Sequence, residues 1–347
     1  MSIPVGISGS RSAAILGVSP YRTNLDIWLE IMESREPGFC EKHGYKFEPF
    51  TGNIQTDFGS AFEDAICEIV EVTKGIKIAD RERFYDASTQ VEVININTDT
   101  SRVSVEDQSY ITCHIDGMIE IDGETCLIEN KTTSSHYFYD NFSEKLNRIP
   151  LNYMCQIQHN LYLTGLNKCM MNVLVFPKRV DEFVADGWSV IKQALNYYLL
   201  KKDEELINPL EWAYTLSEMG YLKTFIIERD DDLIKLMLEK YSTFWNENIL
   251  KGIMPDVVNI DDIKAIYTEP KGTVVASEQV ERWVSERKLL MLEKKEIETK
   301  IEQLKTLELE YMRQSDDKVI DEETRDKTFL MSRAGKKLAQ YNGKVYR

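Results

Sequence analysis

No apolar run in this sequence approaches the roughly 18 residues that a membrane-crossing helix requires, and the Met1 end carries no basic-plus-apolar leader. Both absences predict a cytoplasmic protein with no membrane partner. The six cysteines, Cys40, Cys67, Cys113, Cys126, Cys155 and Cys169, include no C-x-x-C pair. That argues against a zinc site or a cysteine-held cluster and fits free thiols in a reducing compartment. Positive charge is scarce as well, with 42 Lys and Arg against 58 Asp and Glu for a formal net charge of −16. Binding of phosphates through overall charge is excluded, so any nucleic-acid site must be a local basic surface within an acidic envelope. No internal repeat, low-complexity tract or disorder-prone composition is present.

What remains is a 347-residue chain, long enough for a substantial core in one large domain with an appendage, or in two domains. The opening segment "GISGSRSAAILGVSPYRTNLDIWLEIME" predicts a short helix over 10–16, capped by Ser8 or Ser10, and a Gly-Val-Ser-Pro turn. A second helix starts at Asn24, with Leu25, Trp28 and Ile31 on one face. Over 58–72, Phe62, Ile66, Ile69 and Val70 recur at helical spacing with Glu63 beside them. Strands are predicted through 76–175 in "IKIADRERF", "VEVINI", "YITCHIDGMIEI", "TCLIENKT" and "MMNVLVFP", with a helix over 153–163 between the last two. The fold class is therefore α/β, a central mixed β-sheet flanked by helices.

Helices are expected again over 181–201 and 231–248, followed by a connector over 255–270. Beyond it Trp283, Leu290, Ile297, Leu304 and Tyr311 recur every seventh residue, which predicts a long amphipathic helix or coiled-coil arm. Six Lys or Arg and no acid lie between Lys327 and Arg347. The expected organisation is a core over 1–270 and, over 271–347, a helical arm with a basic tail.

The chemistry concentrates in "DGMIEIDGETCLIENK", which begins at Asp116. Strand alternation points Glu129 and Lys131 to one face and Asn130 to the other. A tight turn at Asp122-Gly123 brings Asp116, thirteen residues earlier, beside Glu129. An acid-x-Lys on a strand is by itself most often a solvated face. Here it sits among Ile and Leu, with other polar elements at suitable places. Clustered hard oxygens suit Mg²⁺ or Mn²⁺, and a lysine beside them suits phosphodiester hydrolysis. Gly59-x-x-x-Glu63 offers a third carboxylate, the glycine allowing its helix to approach closely. In "PLNYMCQIQHNLYLTG", Tyr153, Gln156 and Asn160 share a helical face that Gln158 and His159 do not quite join.

The order "SGSRSAAILGVSPY", "GSAFEDA", "HIDG", "IENK" and "YMCQIQHNLYLTG" resembles the YqaJ-type viral recombinase family, lambda-exonuclease-like members of the PD-(D/E)XK nucleases. The likeness runs from about residue 7 to residue 177. It implies a restriction-endonuclease-like core and an exonuclease that digests the 5′-ended strand of linear duplex DNA. It further implies Mg²⁺, with Mn²⁺ as a substitute, in a site holding two ions. The implied partners are duplex DNA ends, a single-strand annealing protein and copies of the chain in a ring trimer, and the implied setting is a phage or prophage protein in a bacterial host.

By the same resemblance Asp116, Glu129, Glu63 and the backbone carbonyl of Asn130 hold metal, and Lys131 activates the attacking water. Gln156 assists, while Ser10, Arg11, His114 and Gln158 contact DNA or its terminal phosphate. Three features depart from the pattern. His114 stands where lambda-exonuclease-type members carry a small hydroxyl residue, Asn130 replaces an apolar one, and residues 1–5 offer no arginine for a 5′-phosphate.

Two other readings compete. RecB-like or CRISPR-adaptation nucleases share the core, but those with an iron–sulfur cluster need late cysteines, and none follows Cys169. A catalytically idle DNA-end-binding or scaffold protein, acting through the arm, would not need the intact Asp, Glu and Lys set.

Overall fold

The computed structural model describes residues 6–50, 52–81, 84–86, 109–193, 196–201, 206–269, 272–314, 328–331 and 337–341. The expected strand "VEVINI" and most of the basic tail lie outside them. The chain divides into two compact units, Met1–Glu269 and Pro270–Arg347.

In the first unit a short strand β1 (Ile7–Ser8) leads into helix α1 (Gly9–Ile15), whose Ser12, Ala13, Ala14 and Ile15 are buried. Ser8 occupies the N-cap without a side-chain bond to the helix; its hydroxyl instead meets that of Ser10 at 3.0 Å. The capping expected of these serines is thus replaced by a serine pair. Helix α2 (Asn24–Arg35) starts in a full capping box between Thr23 and Asp26, which satisfies two backbone donors that the first turn leaves open. Its Leu25, Trp28 and Ile31 are buried, and the Trp28 indole N–H donates to the Asn248 carbonyl at 2.9 Å. After the short α3 (Phe39–Lys42), α4 (Ile54–Lys74) buries Phe58, Phe62, Ile66, Ile69 and Val70 along one face.

Strands β2 (Phe84–Asp86) and β3 (Ile111–His114) join β1 in a small sheet of order β1-β3-β2. The run "YITCHIDGMIEI" therefore does not form one strand. It breaks at Ile115-Asp116, and β4 (Gly117–Ile121) enters a second sheet with β5 (Glu124–Ser134). Helices α5 (Ser135–Asn141) and α6 (Leu151–Thr164) then cross to β6 (Lys168–Phe176), which pairs parallel to β5.

Past β6 the expected helix over 181–201 stops early. Helix α7 covers only Val180–Ala185; Gly187 turns the backbone at φ 90°, and β7 (Trp188–Gln193), β8 (Asn196–Lys201) and β9 (Leu206–Ile207) form an antiparallel sheet. Val190, Ile191 and the tyrosines at 197 and 198 favour extended backbone over a helix in which β-branched and aromatic side chains lose freedom.

Helix α8 (Pro209–Glu218) leads to β10 (Leu222–Glu228), antiparallel to β6, which completes a mixed sheet of order β10-β6-β5-β4. Helix α9 (Asp231–Thr243) continues into a π-helical stretch at Phe244–Leu250. The expected connector contains helix α10 (Ile260–Ile266), held to the unit by the buried Asp262, which accepts from the Thr23 hydroxyl at 2.8 Å. One face of the mixed sheet packs Leu127, Met171, Val173 and Phe225 with α1, α2, α6 and α9, while the other packs Ile128, Met170, Leu174 and Phe176 with α4 and α8. In the second unit α11 (Glu278–Gln314) buries none of its side chains, and β11 (Thr328–Met331) pairs antiparallel with β12 (Lys337–Tyr341). Among the described residues no helix is long and apolar enough to cross a membrane.

His159 on α6 is a structural histidine, its ring nitrogens 3.0 Å from the Tyr241 hydroxyl and 2.9 Å from the Thr112 carbonyl. Burial pushes it down to about 4, against the partial support of the Thr112 carbonyl. The unfolded chain takes up a proton below about 6.5 that the folded protein refuses, so stability present above that pH is lost as pH falls toward 4. Measured as the difference between the unaltered protein and His159→Gln in denaturant titrations, the His159 contribution between pH 7.5 and 4.5 should be a loss on the order of 3 kcal/mol. That dependence should flatten in His159→Gln, and an equally steep loss in the variant would assign it elsewhere.

Candidate active site

Asp122 and Gly123 sit at φ 52° and 79°, the left-handed pair that a two-residue type I′ turn requires, and they close the β4–β5 hairpin between Ile121 and Glu124. The register runs to Gly117 opposite Ile128, which sets Asp116 level with Glu129 just past the end of β4. There β5 loses its antiparallel neighbour, and the Asp116 carboxylate takes the place of a strand by accepting the Asn130 backbone N–H at 2.6 Å. The N–H and C=O of a strand residue point to the same edge, so the Asn130 carbonyl is directed toward this position too.

Glu129 lies on the α6 side of β5, 1% exposed, with three donors on its carboxylate. Lys131 Nζ meets Oε1 at 2.5 Å, Gln156 Nε2 meets the same oxygen at 2.7 Å, and Asn160 Nδ2 meets Oε2 at 3.1 Å. Gln156 and Asn160 are four apart on α6 and so share one face. That face lies close to α1 because residue 9 is glycine: a Cβ there would fall 2.7 Å from Asn160 Oδ1 and 3.1 Å from Gln156 Cγ. Asn160 Oδ1 is buried without a hydrogen-bond partner. From α4, Glu63 lies near enough to Asp116 for its negative charge to oppose ionisation of that carboxyl.

Burial first, and then the neighbouring Glu63, push Asp116 up to about 6 although Lys131 pulls the other way. Burial and Asp116 likewise raise Glu129. Burial works against the charge on Lys131, but Glu129 and Asp116 outweigh it and hold the ammonium protonated. Carboxyls that resist joint ionisation, beside a carbonyl edge, form a hard-oxygen donor set that a divalent cation would neutralise. Among the described residues no three His, Cys, Asp or Glu side chains close into a ready metal cage. Two carboxylates are nevertheless what a largely hydrated Mg²⁺ ordinarily takes from a protein, so these residues fit such an ion.

The other face of β5 carries a polar row that the sequence did not disclose. Asn130 donates to Cys67 Sγ on α4 at 3.1 Å, its Oδ1 accepts from Asn172 at 3.1 Å, and Asn172 Oδ1 accepts from the Thr224 hydroxyl at 3.0 Å. Asn130, Asn172 and Thr224 are in register across β5, β6 and β10, so the polar residue between Glu129 and Lys131 ties three strands together.

Two of the remaining expected residues are engaged elsewhere. Gln158 is fully buried and clamps β10 to α9, donating to the Glu228 carbonyl and accepting from Asp230 N–H; a side chain so enclosed touches no DNA, which corrects that expectation. Arg11 donates to the Gly6 carbonyl and to Glu30 at 2.7 Å, so both ends of its guanidinium are engaged. Ser10 is exposed in the first turn of α1, and His114 is exposed at the end of β3. At Gly59 an added Cβ would meet only Thr132 Oγ1, at 3.8 Å, so this glycine is not needed for helix approach. Asn160 and Tyr153 were legible only as sharing a helical face with Gln156, and nothing in the sequence marked them as site residues.

Residues 4–167 match the sequence model of the YqaJ-like viral recombinase domain. The uncharacterized protein YqaJ of Bacillus subtilis (strain 168) is 23% identical over 252 residues, which are 72% of this chain and 55% of that relative. The chain thus spans about half the length of the curated relative it matches. Among solved structures, an alkaline exonuclease (LHK-Exo) from Laribacter hongkongensis is 15% identical with a TM-score of 0.41, covering 71% of this chain and 89% of that one. A phage related exonuclease from Haemophilus somnus 129PT is 18% identical with a TM-score of 0.41, covering 72% and 96% respectively.

Proposed function

We propose that this protein, whose residues 4–167 match the sequence model of the YqaJ-like viral recombinase domain, is a metal-dependent exonuclease acting on the ends of linear duplex DNA. The observation that carries the reading is Lys131, held charged 2.5 Å from the buried Glu129 and in the field of Asp116, within that domain. Such a cation, fixed before the reaction, stabilises negative charge as it develops on a phosphodiester under attack. Gln156 and Asn160 fix the Glu129 carboxylate, and the Asn130 N–H fixes that of Asp116, so neither has to be organised when substrate arrives. Asp116, Glu129, Glu63 and the Asn130 carbonyl would hold Mg²⁺ or Mn²⁺, one ion or two, whose role is to polarise the phosphate oxygens.

The finer reading is digestion of the 5′-ended strand for recombination by single-strand annealing, in a phage or prophage setting, with an annealing protein as partner and a ring of identical subunits as the working form. Ser10 is the contact assigned to the terminal phosphate. Hydrolysis is assigned to residues 1–270 and accessory binding to the arm over 271–347.

Linear duplexes labelled at either the 5′ or the 3′ end, incubated with Mg²⁺ beside a closed circle, test this directly. Loss of the linear DNA, little attack on the circle and complete inhibition by EDTA are expected. Cleavage undiminished in EDTA would exclude the metal-dependent mechanism, and release of label from the 3′ end first would reverse the polarity.

A further inference from the structure

Beside Lys131 the wall is built of tyrosines to which the chemistry above gives no task. Tyr153, on the α6 face of Gln156 and Asn160, has its ring centroid 5.9 Å from Lys131 Nζ. Tyr21, in the loop between α1 and α2, lies near enough to Tyr137, in the first turn of α5, and to Tyr153 to add to the effect of burial in raising both phenols. Tyr137 and Tyr153 both pack against Phe142, at 6.3 and 6.1 Å between ring centroids. Exposure rises steadily along this line. Glu129 is buried, the Lys131 side chain is 23% exposed, Tyr137 and Tyr153 are half-buried, and Tyr21 at the outer end is 70% exposed.

A core would be filled by rings turned inward, and a tie between α5 and the α1–α2 loop would not need a ring left in water. Electrostatics narrows the alternatives. The chain carries a net charge of −16, and the two arginines flanking this loop, Arg11 and Arg22, both pair with Glu30. Neither guanidinium is therefore left uncommitted for a phosphate, and a strand end here calls for another source of grip. Aromatic faces supply one that suits an enzyme reading no sequence, because every nucleobase has a π-face.

The geometry points to Tyr21, Tyr137 and Tyr153 as a stacking platform for the nucleobase at a DNA strand end whose phosphodiester lies at Lys131. This assignment rests on the nuclease reading for its substrate, and it adds a base-holding site distinct from the carboxylates. Because stacking is indifferent to base identity, the platform holds A, C, G and T alike, and it releases a strand end that lacks its base.

The test uses the full chain in EDTA, so that nothing is cut, and short single-stranded oligonucleotides carrying a fluorescent label at the far end. The terminal nucleotide is either ordinary or abasic, at the 5′ end in one set and the 3′ end in another. Anisotropy should give about tenfold weaker binding of the abasic terminus at one of the two ends, the size expected for one stacked base. Tyr21→Phe, which keeps the ring, should behave as the unaltered protein, whereas Tyr21→Leu should bind ordinary and abasic ends alike. Equal affinity of the unaltered protein for both termini, no binding at all, or discrimination retained in Tyr21→Leu overturns the platform. Failure of the nuclease reading appears separately, as unaltered protein that leaves linear duplex intact with Mg²⁺ and Mn²⁺, and the anisotropy result still decides the platform.

Discussion

Lys131→Ala is expected to abolish cleavage while leaving DNA binding nearly intact. The ammonium lies against Glu129 and beneath no phosphate until substrate enters, so its charge acts mainly on the transition state and little on the ground state. Single-turnover rates should fall by at least ~10²-fold, the scale set by removal of other fixed electrostatic donors. Anisotropy with uncut duplex in EDTA should move little over the same series. The folded protein tolerates the change because Glu129, already raised by burial and by Asp116, takes up a proton once its cation is gone. A variant that cuts near the unaltered rate would remove Lys131 from the mechanism.

Glu129→Gln should lose both rate and stability, and the asymmetry with Lys131→Ala is the informative part. Three donors converge on the carboxylate, from Lys131, Gln156 and Asn160. An amide at position 129 must turn its own NH₂ toward one of them, and Lys131 loses the larger of the two charges that offset its burial. Breaking one side of a buried ion pair in this way costs about 3 kcal/mol or more, read from denaturant unfolding without metal. Calorimetric titration with Mg²⁺ or Mn²⁺ should also show weakened binding in Glu129→Gln and in Asp116→Ala. Undiminished metal affinity in both variants would place the cation elsewhere.

Much of this was legible before any coordinates, and for local reasons. Asp122-Gly123 specifies its turn by backbone conformation, alternation then fixes which residues of β5 share a face, and register places Asp116 beside Glu129. The four-residue spacing of Gln156 and Asn160 follows from helix geometry alone. What stayed hidden depends on chain far away. Gln158 is committed to Glu228 and Asp230, seventy residues on, and Arg11 to Glu30 on the next helix, so nothing in their own neighbourhoods marks either side chain as occupied. The apolar residues after Gly187 satisfy the helical period as well as the strand period, and the β-branched and aromatic residues among them together with the pairing of β7 and β8 decide for strand. The segment over 255–270 looked like a connector because one buried aspartate, Asp262, holds it in place rather than an apolar stripe.

The row formed by Cys67, Asn130, Asn172 and Thr224 has a consequence for how this sequence can drift. Each amide answers the other within an otherwise apolar layer, so an apolar residue at 130 or 172 alone strands a buried polar group on its neighbour. Replacing both at once removes the need together with the partner and costs far less. A double-mutant cycle at positions 130 and 172 should therefore show strong coupling, each single apolar substitution costing far more than the pair.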